Sequence, residues 1–128
     1  MSQAMRPFIF ALACLIFGLA FAVPTSETVR AEIDSLLSKL QSSGCEFNRN
    51  GSWYSGAEAK DHLLRKLEFI ERKSTVQSTE QFIELAAAKS SSSGKPYQVK
   101  CGAEAAVDSQ LWLSKQLAVL RAGLKSKP

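Results

Sequence analysis

Apolar residues recur at helical spacing in four stretches of the chain and alternate with polar residues in two shorter ones. Alternation over residues 45–54 and 97–101 predicts strands, and Asn50-Gly51 predicts a tight hairpin turn because both residues tolerate positive φ. The predicted order is α-β-β-α-α-β-α. We therefore expect an α+β fold, in which about four helices cover a small antiparallel sheet made of the hairpin plus one strand. A residue able to cap the first turn precedes each helix: Ser26, Ser55, Ser78 and Asp108.

The loop length of the hairpin remains open from the pattern alone. A two-residue loop, Asn50-Gly51, places Tyr54 on the same face as Phe47, whereas a three-residue loop that begins at Arg49 places Trp53 there. A slip of one residue inverts a strand, so only one of the two aromatic side chains faces the core. We favour Trp53, because its larger ring removes more apolar surface from water.

The first 22 residues have the pattern of a secretory signal peptide: a basic start, an apolar run, and Ala20 and Ala22 at the cleavage position. We expect cleavage before Val23, which leaves residues 23–128 as one small domain with a formal charge of +3, from 15 basic and 12 acidic residues. A membrane anchor is the alternative, but the run is shorter than the roughly 20 residues that span a bilayer. Lipid attachment at Cys14 is disfavoured because the apolar run continues beyond it.

Two of the three cysteines, Cys45 and Cys101, remain after cleavage. One begins the first predicted strand and the other ends the last. Because an exported protein folds in an oxidising compartment, we predict a disulfide between them. The alternative is two free thiols or a pair between chains.

No complete catalytic or metal-binding set is found in the sequence. His62 and Glu58 have i, i+4 spacing, but a zinc site needs three or four ligands, and no third one is evident. There is no G-x-S-x-G elbow, and Ser93-Gly94-Lys95 lacks the preceding glycine and the following hydroxyl residue of a phosphate loop. We therefore assign no catalytic residue, no metal and no cofactor, and regard enzyme activity as uncertain and disfavoured.

Several basic residues could form a patch beside Trp53 or Tyr54. Candidate partners for such a patch are an envelope protein or an anionic envelope component. Nucleic acid is not expected outside the cytoplasm, and an ordinary solvated helix face is the alternative. The basic residues are Arg49, Lys60, Arg65, Lys66, Arg72 and Lys73.

Four segments resemble the YfeK-like family of small secreted bacterial proteins of unknown function: residues 47–51, Ala59 with His62-Leu63, residues 79–83, and above all residues 91–100. The likeness extends over residues 27–120. It implies a Gram-negative periplasmic location, and it supplies no ligand or catalytic residue.

The leading functional prediction is a periplasmic, non-enzymatic binding or envelope-associated module that does not span the membrane after cleavage. Loops of small domains commonly carry recognition, so we place the surface at the hairpin tip and the serine-rich loop. One alternative is a small hydrolase that uses His62 with a nearby serine or carboxylate. Another is a structural or inhibitory partner of a larger envelope protein, acting through the apolar stripe of residues 108–124. The predicted binding surface consists of Arg49, Asn50, Trp53, His62, Ser93, Lys95 and Tyr97.

Overall fold

The computed structural model describes residues 23–125, so the predicted signal peptide, residues 1–22, lies outside the described residues. The α+β class and the predicted order of elements are confirmed, with one addition: a two-residue strand that pairs beside the last predicted one. The helices are α1 (Glu27–Ser42), α2 (Gly56–Glu71), α3 (Thr79–Ala86) and α4 (Ser109–Lys125). The strands are β1 (Glu46–Arg49), β2 (Ser52–Ser55), β3 (Gln98–Lys100) and β4 (Val107–Asp108).

Three of the predicted caps form. The hydroxyls of Ser26 and Ser78 each accept a hydrogen bond from a backbone N–H three residues on. At the start of α2, Ser55 and Glu58 form a reciprocal capping box, which satisfies two N–H groups that a helix end otherwise leaves unpaired. The box fixes where α2 leaves the hairpin and therefore where its side chains meet the sheet.

The sheet is antiparallel throughout, in the order β2-β1-β3-β4. Glu46 pairs with Lys100, so Cys45 and Cys101 are the next opposite pair, with Cα atoms 4.3 Å apart. They form the predicted disulfide, which is confirmed. By the loop-entropy relation, closing a loop of 56 residues stabilises the fold by about 4 kcal/mol.

The preference for Trp53 as the buried aromatic is wrong. Asn50 and Gly51 both have positive φ, 52° and 84°, and form a two-residue turn. Trp53 therefore pairs with Asn48 on the outer face of the sheet and is 42% exposed, while Tyr54 lies on the Phe47 face. Turn geometry fixes the register here, and burial of the larger ring does not override it.

The helices cover one face of the sheet. Phe47 and Val99 point into the core, whereas Glu46 and Lys100 are exposed on the other face. No helix within residues 23–125 has the length and apolar character needed to cross a bilayer. The largest fully buried helical side chains are Ile33, Leu36, Leu37, Leu40, Leu63, Leu67, Phe82, Ile83 and Leu113.

The start of α2 lies directly against the end of α1. Gly56 is buried, and a Cβ atom built on it would overlap the carbonyl oxygen of Leu40 and lie 3.0 Å from the Cα of Gln41. Both neighbours are backbone atoms of a helix, so they cannot turn aside. Glycine at this position permits the close approach of the two helices and thereby sets the position of α2.

We expect Gly56→Ala to destabilise the protein by about 2 kcal/mol, because the overlap outweighs the better helix propensity of alanine. Gly123→Ala is the matched control: a Cβ there meets no atom within 4 Å, and the change should raise stability by about 0.5–1 kcal/mol. Urea unfolding of the two variants measures both effects. Equal stability changes would show that the approach of α2 to α1 is not constrained by Gly56.

Candidate functional site

Arg49 lies at the end of β1 and points to the helix-covered face of the sheet. Its guanidinium lies over the ring of Tyr54, 5.1 Å from the centroid. One terminal nitrogen, Nη1, is 2.7 Å from Nδ1 of His62 on α2. The pair therefore joins the hairpin to the first turns of α2.

His62 continues the contact towards Tyr97, which immediately precedes β3. Its Nε2 is 3.2 Å from the Tyr97 hydroxyl. Because a guanidinium only donates, Nδ1 must accept, and Nε2 carries the hydrogen that it donates to the hydroxyl oxygen. The contacts thus define a neutral imidazole with one tautomer.

Lys66, one turn after His62 on α2, contacts the same hydroxyl. Its Nζ donates to the Tyr97 oxygen at 3.1 Å and to the carbonyl oxygen of Lys89 at 3.0 Å. Tyr97 is 2% exposed, and its ring packs on Phe47 with ring centroids 5.1 Å apart. Burial raises the pKa of Tyr97, so its hydroxyl keeps its proton.

The site has positive potential. Burial, together with the positive charges of Arg49, Lys66 and Arg65, lowers the pKa of His62 to about 4. Burial also lowers the pKa of Lys66, with a second contribution from Arg49. At neutral pH His62 is therefore uncharged, between two cationic side chains that repel each other.

The serine loop, residues 90–95, is ordered by its own hydroxyls and by the hairpin tip. Ser90 is 4% exposed, and its Oγ accepts from Asn50 Nδ2 at 3.2 Å and from the Ser93 backbone N–H at 3.3 Å. The Ser93 hydroxyl donates to Asn50 Oδ1 at 2.6 Å. Both ends of the Asn50 amide are therefore bonded to the loop, and the hairpin tip and the loop form one surface.

Between them lies a cleft of about 280 Å³, which we call the serine-loop cleft. A second cleft of about 250 Å³ lies on the other side of the Arg49–His62 pair and includes Glu58 and Asp61. Among residues 23–125, no carboxylate lies within ion-pair distance of Arg49 or Lys66. The serine-loop cleft is lined by Arg49, Asn50, His62, Lys66, Ser90, Ser91, Ser92 and Tyr97.

The structure brings together most of the predicted binding surface. Four of its seven residues line the serine-loop cleft, and Ser93 bonds to one of them, Asn50. Trp53 does not belong to it, because the two-residue turn places this side chain on the outer face of the sheet. The Lys95 side chain is exposed and outside the lining. Its backbone belongs to the loop, because its N–H donates to Ser93 Oγ and its carbonyl oxygen accepts from the Ser90 N–H.

Lys66 is absent from the predicted binding surface of seven residues, although the predicted basic patch included it with Arg49. The i, i+4 spacing from His62 places the two side chains on one face of α2, and this was the available signal. Only the tertiary structure shows that this face meets Tyr97 and the Lys89 carbonyl.

The contacts of His62 bear on the alternatives of metal binding and hydrolysis. Glu58 caps α2 through Ser55. The two ring nitrogens of His62 contact Arg49 and Tyr97, and neither contacts a serine or a carboxylate of the part of the chain that the structure describes. In residues 23–125, no three side chains of histidine, cysteine, aspartate or glutamate are grouped to hold a metal ion.

The apolar stripe predicted on the last helix is only partly exposed. Leu113 and Leu117 are buried, Leu120 is partly buried, and Leu124 is 66% exposed. The other large exposed side chains of α4, Leu111 and Val119, lie away from this stripe and about 80° from each other around the helix.

Comparisons with known proteins agree with the resemblance seen in the sequence. A family model described as "Family of unknown function (DUF5329)" matches residues 27–121. The chain is 33% identical over 91 residues to the protein named "Uncharacterized protein YfeK" of Salmonella typhimurium strain LT2, covering 67% of this chain and 74% of the relative. No solved structure gives a significant match. These matches confirm the resemblance to the YfeK-like family.

The neutral state of His62 predicts a pH dependence of stability. In the unfolded chain a histidine has a pKa of about 6.5, so between about pH 6.5 and 4 the unfolded state binds the extra proton. Stability is therefore fully present above that window and falls as the pH falls through it. Lowering the pH from about 7 to about 5 should cost about 1 kcal/mol once solvent screening of the half-exposed site is included.

Urea unfolding at the two pH values measures this cost, with His62→Gln as the comparison. The variant removes the titratable imidazole and leaves the neighbouring Arg49, Arg65 and Lys66 in place. The wild type should lose more stability than the variant on acidification. The same loss in both proteins would contradict a neutral His62.

Proposed function

We propose that this chain, which belongs to the DUF5329 family of unknown function, is an exported, non-enzymatic binding module of the periplasm. Its ligand is an anionic group, which binds in the serine-loop cleft. The ligand belongs to an envelope component or to a partner protein of the envelope.

One observation carries this proposal: Arg49 and Lys66 are half-buried, line the same cleft and lack a carboxylate partner within residues 23–125. Holding two like charges together in a partly desolvated place is unfavourable unless an opposite charge joins them. An anion in the cleft would supply that charge. We therefore interpret Arg49 and Lys66 as the cationic half of a binding site whose anionic half is the ligand.

The rigidity of the surface also favours recognition. Both ends of the Asn50 amide hold the serine loop, and Arg49 is fixed by His62 and by the ring of Tyr54. Side chains that are already in place lose little conformational freedom when a ligand binds. Because both nitrogens of His62 serve this positioning, its contacts favour binding over proton transfer to a substrate.

Export is supported by the pattern of residues 1–22 and by the disulfide between Cys45 and Cys101, since disulfides persist in oxidising compartments. The net positive charge of residues 23–128 suits a periplasm bounded by membranes that are rich in anionic lipids and glycans.

We expect the full-length gene product, expressed in a Gram-negative host, to be recovered from the periplasmic fraction with Val23 as its first residue. The intact mass before and after thiol alkylation measures both the cleavage and the oxidised state of the cysteines. A protein retained in the membrane with residues 1–22 attached would contradict export as a cleaved form.

Immobilised mature protein should retain an anionic component from a total envelope extract, and rising salt should release it because the attraction is electrostatic. The double variant Arg49→Ala/Lys66→Ala should lose this retention. The control Lys95→Ala/Lys100→Ala removes the same charge from exposed positions outside the cleft and should keep it. Equal retention by both double variants would show that the serine-loop cleft is not the binding surface.

A further inference from the structure

The polar groups that remain available in the serine-loop cleft are mostly hydrogen-bond donors. Lys66 has three N–H bonds and uses two, on the Lys89 carbonyl and the Tyr97 hydroxyl. Arg49 has five and uses one on His62. The Tyr97 oxygen accepts from both His62 and Lys66, so its own hydrogen lacks an acceptor among residues 23–125.

These donors come from three separate elements. Arg49 ends β1, Lys66 lies on α2, and Tyr97 precedes β3. Ser91 and Ser92 line the same cleft from the serine loop, and the Ser92 hydroxyl is hydrogen-bonded to that of Ser90. A ligand group that satisfies them must offer several acceptor atoms pointing in different directions.

We infer that the serine-loop cleft binds a phosphate group, whose oxygens accept from Arg49, Lys66 and the Tyr97 hydroxyl. This inference rests on the proposed function, because it specifies the ligand chemistry of the same cleft.

Charge and shape favour phosphate over carboxylate. A phosphate monoester has a charge of about −1.5 to −2 at neutral pH and three terminal acceptor oxygens. It therefore matches two cations and donors from three directions. A carboxylate has one charge and two oxygens in a plane, which suits a single guanidinium fork better than this arrangement.

The size of the cleft indicates how much of the ligand it holds. Sites that enclose a whole small molecule usually have volumes of roughly 300–1,000 Å³. At about 280 Å³, the serine-loop cleft accommodates a terminal phosphate and leaves the rest of the molecule outside. The phosphate then comes either from a soluble phosphomonoester or from a lipid headgroup at the membrane surface.

His62 provides the probe, because it is the only histidine in the sequence and lies between the two cations. Its imidazole signals in NMR spectra of the mature protein are followed at about pH 7 during titration with inorganic phosphate, and separately with acetate at the same ionic strength. We expect a saturating shift with phosphate and only a weak shift with acetate. The pKa of His62 should also rise with phosphate, because a nearby anion stabilises the imidazolium.

Single substitutions test whether phosphate binds in the serine-loop cleft. Lys66→Gln should weaken phosphate binding by about tenfold or more, as expected for the loss of a charged hydrogen bond. Lys100→Gln, on the outer face of the sheet, should bind phosphate as the wild type does. Circular dichroism checks that each variant is folded, and Arg49→Gln replaces Lys66→Gln if that variant is not. The wild-type comparison of phosphate with acetate requires no variant.

Vesicles distinguish the two sources. If the protein sediments with vesicles that contain phosphatidic acid, but not with vesicles of phosphatidylcholine alone, the ligand is a lipid phosphomonoester. If it binds free phosphate saturably and does not sediment with either kind of vesicle, the ligand is a soluble phosphomonoester. Either result supports the inference. Acetate binding as strong as phosphate binding would overturn the assignment to phosphate and leave an anion site in place. Shifts that follow ionic strength alone, unchanged in Lys66→Gln, would overturn both the phosphate inference and the anion site.

Discussion

The antiparallel pairing of β1 with β3 is the interaction on which the rest of the structure depends. The disulfide between Cys45 and Cys101 closes one end of this ladder. Counting along the register from Asn48 opposite Gln98 places Arg49 opposite Tyr97 at the other end. A shift of one residue would turn Arg49 to the outer face and separate it from His62. The disulfide and the candidate site therefore lie at opposite ends of the β1–β3 ladder, and both depend on its register.

His62 makes the electrostatics of the site possible. As a neutral imidazole it accepts from Arg49 and donates to Tyr97, so it links a cationic side chain to a hydroxyl without adding charge. A protonated ring would offer Arg49 no acceptor and would place a third positive charge beside Lys66. Burial and the neighbouring positive charges disfavour the imidazolium, and this is the physical cause of the low pKa of His62. The remaining repulsion between Arg49 and Lys66 is tolerated because the buried stripes of the helices hold the elements in place.

The site is assembled from three elements that are distant along the chain, and the family match over residues 27–121 includes all of them. Each element has its own structural support: the turn at Asn50-Gly51, the capping box of α2, and the hydroxyl of Ser90 within the loop. The candidate site is therefore continuous with the core. Substitutions that alter the packing of α2 against α1 should therefore also affect the site, because they displace His62 and Lys66.

The sequence by itself determined the features that depend on neighbours within a few residues. Helical periodicity, the Ser55–Glu58 box and the Asn50-Gly51 turn are local. The disulfide was predicted from the number of cysteines and from the expected export of the chain. Arg49, Asn50 and Tyr97 could be proposed as surface residues because loops and hairpin tips commonly carry binding groups, and His62 because it is the one histidine of the sequence.

The tertiary structure alone decided which distant residues meet. Trp53 and Tyr54 compete for one face, and the choice depends on whether the turn has two residues or three, which the sequence pattern left open. Lys66 joins the site, and Lys95 does not, because packing brings one face of α2 against Tyr97 and leaves the Lys95 side chain in solvent. Such contacts arise from the positions of separate elements in three dimensions, and no pattern within a single segment encodes them.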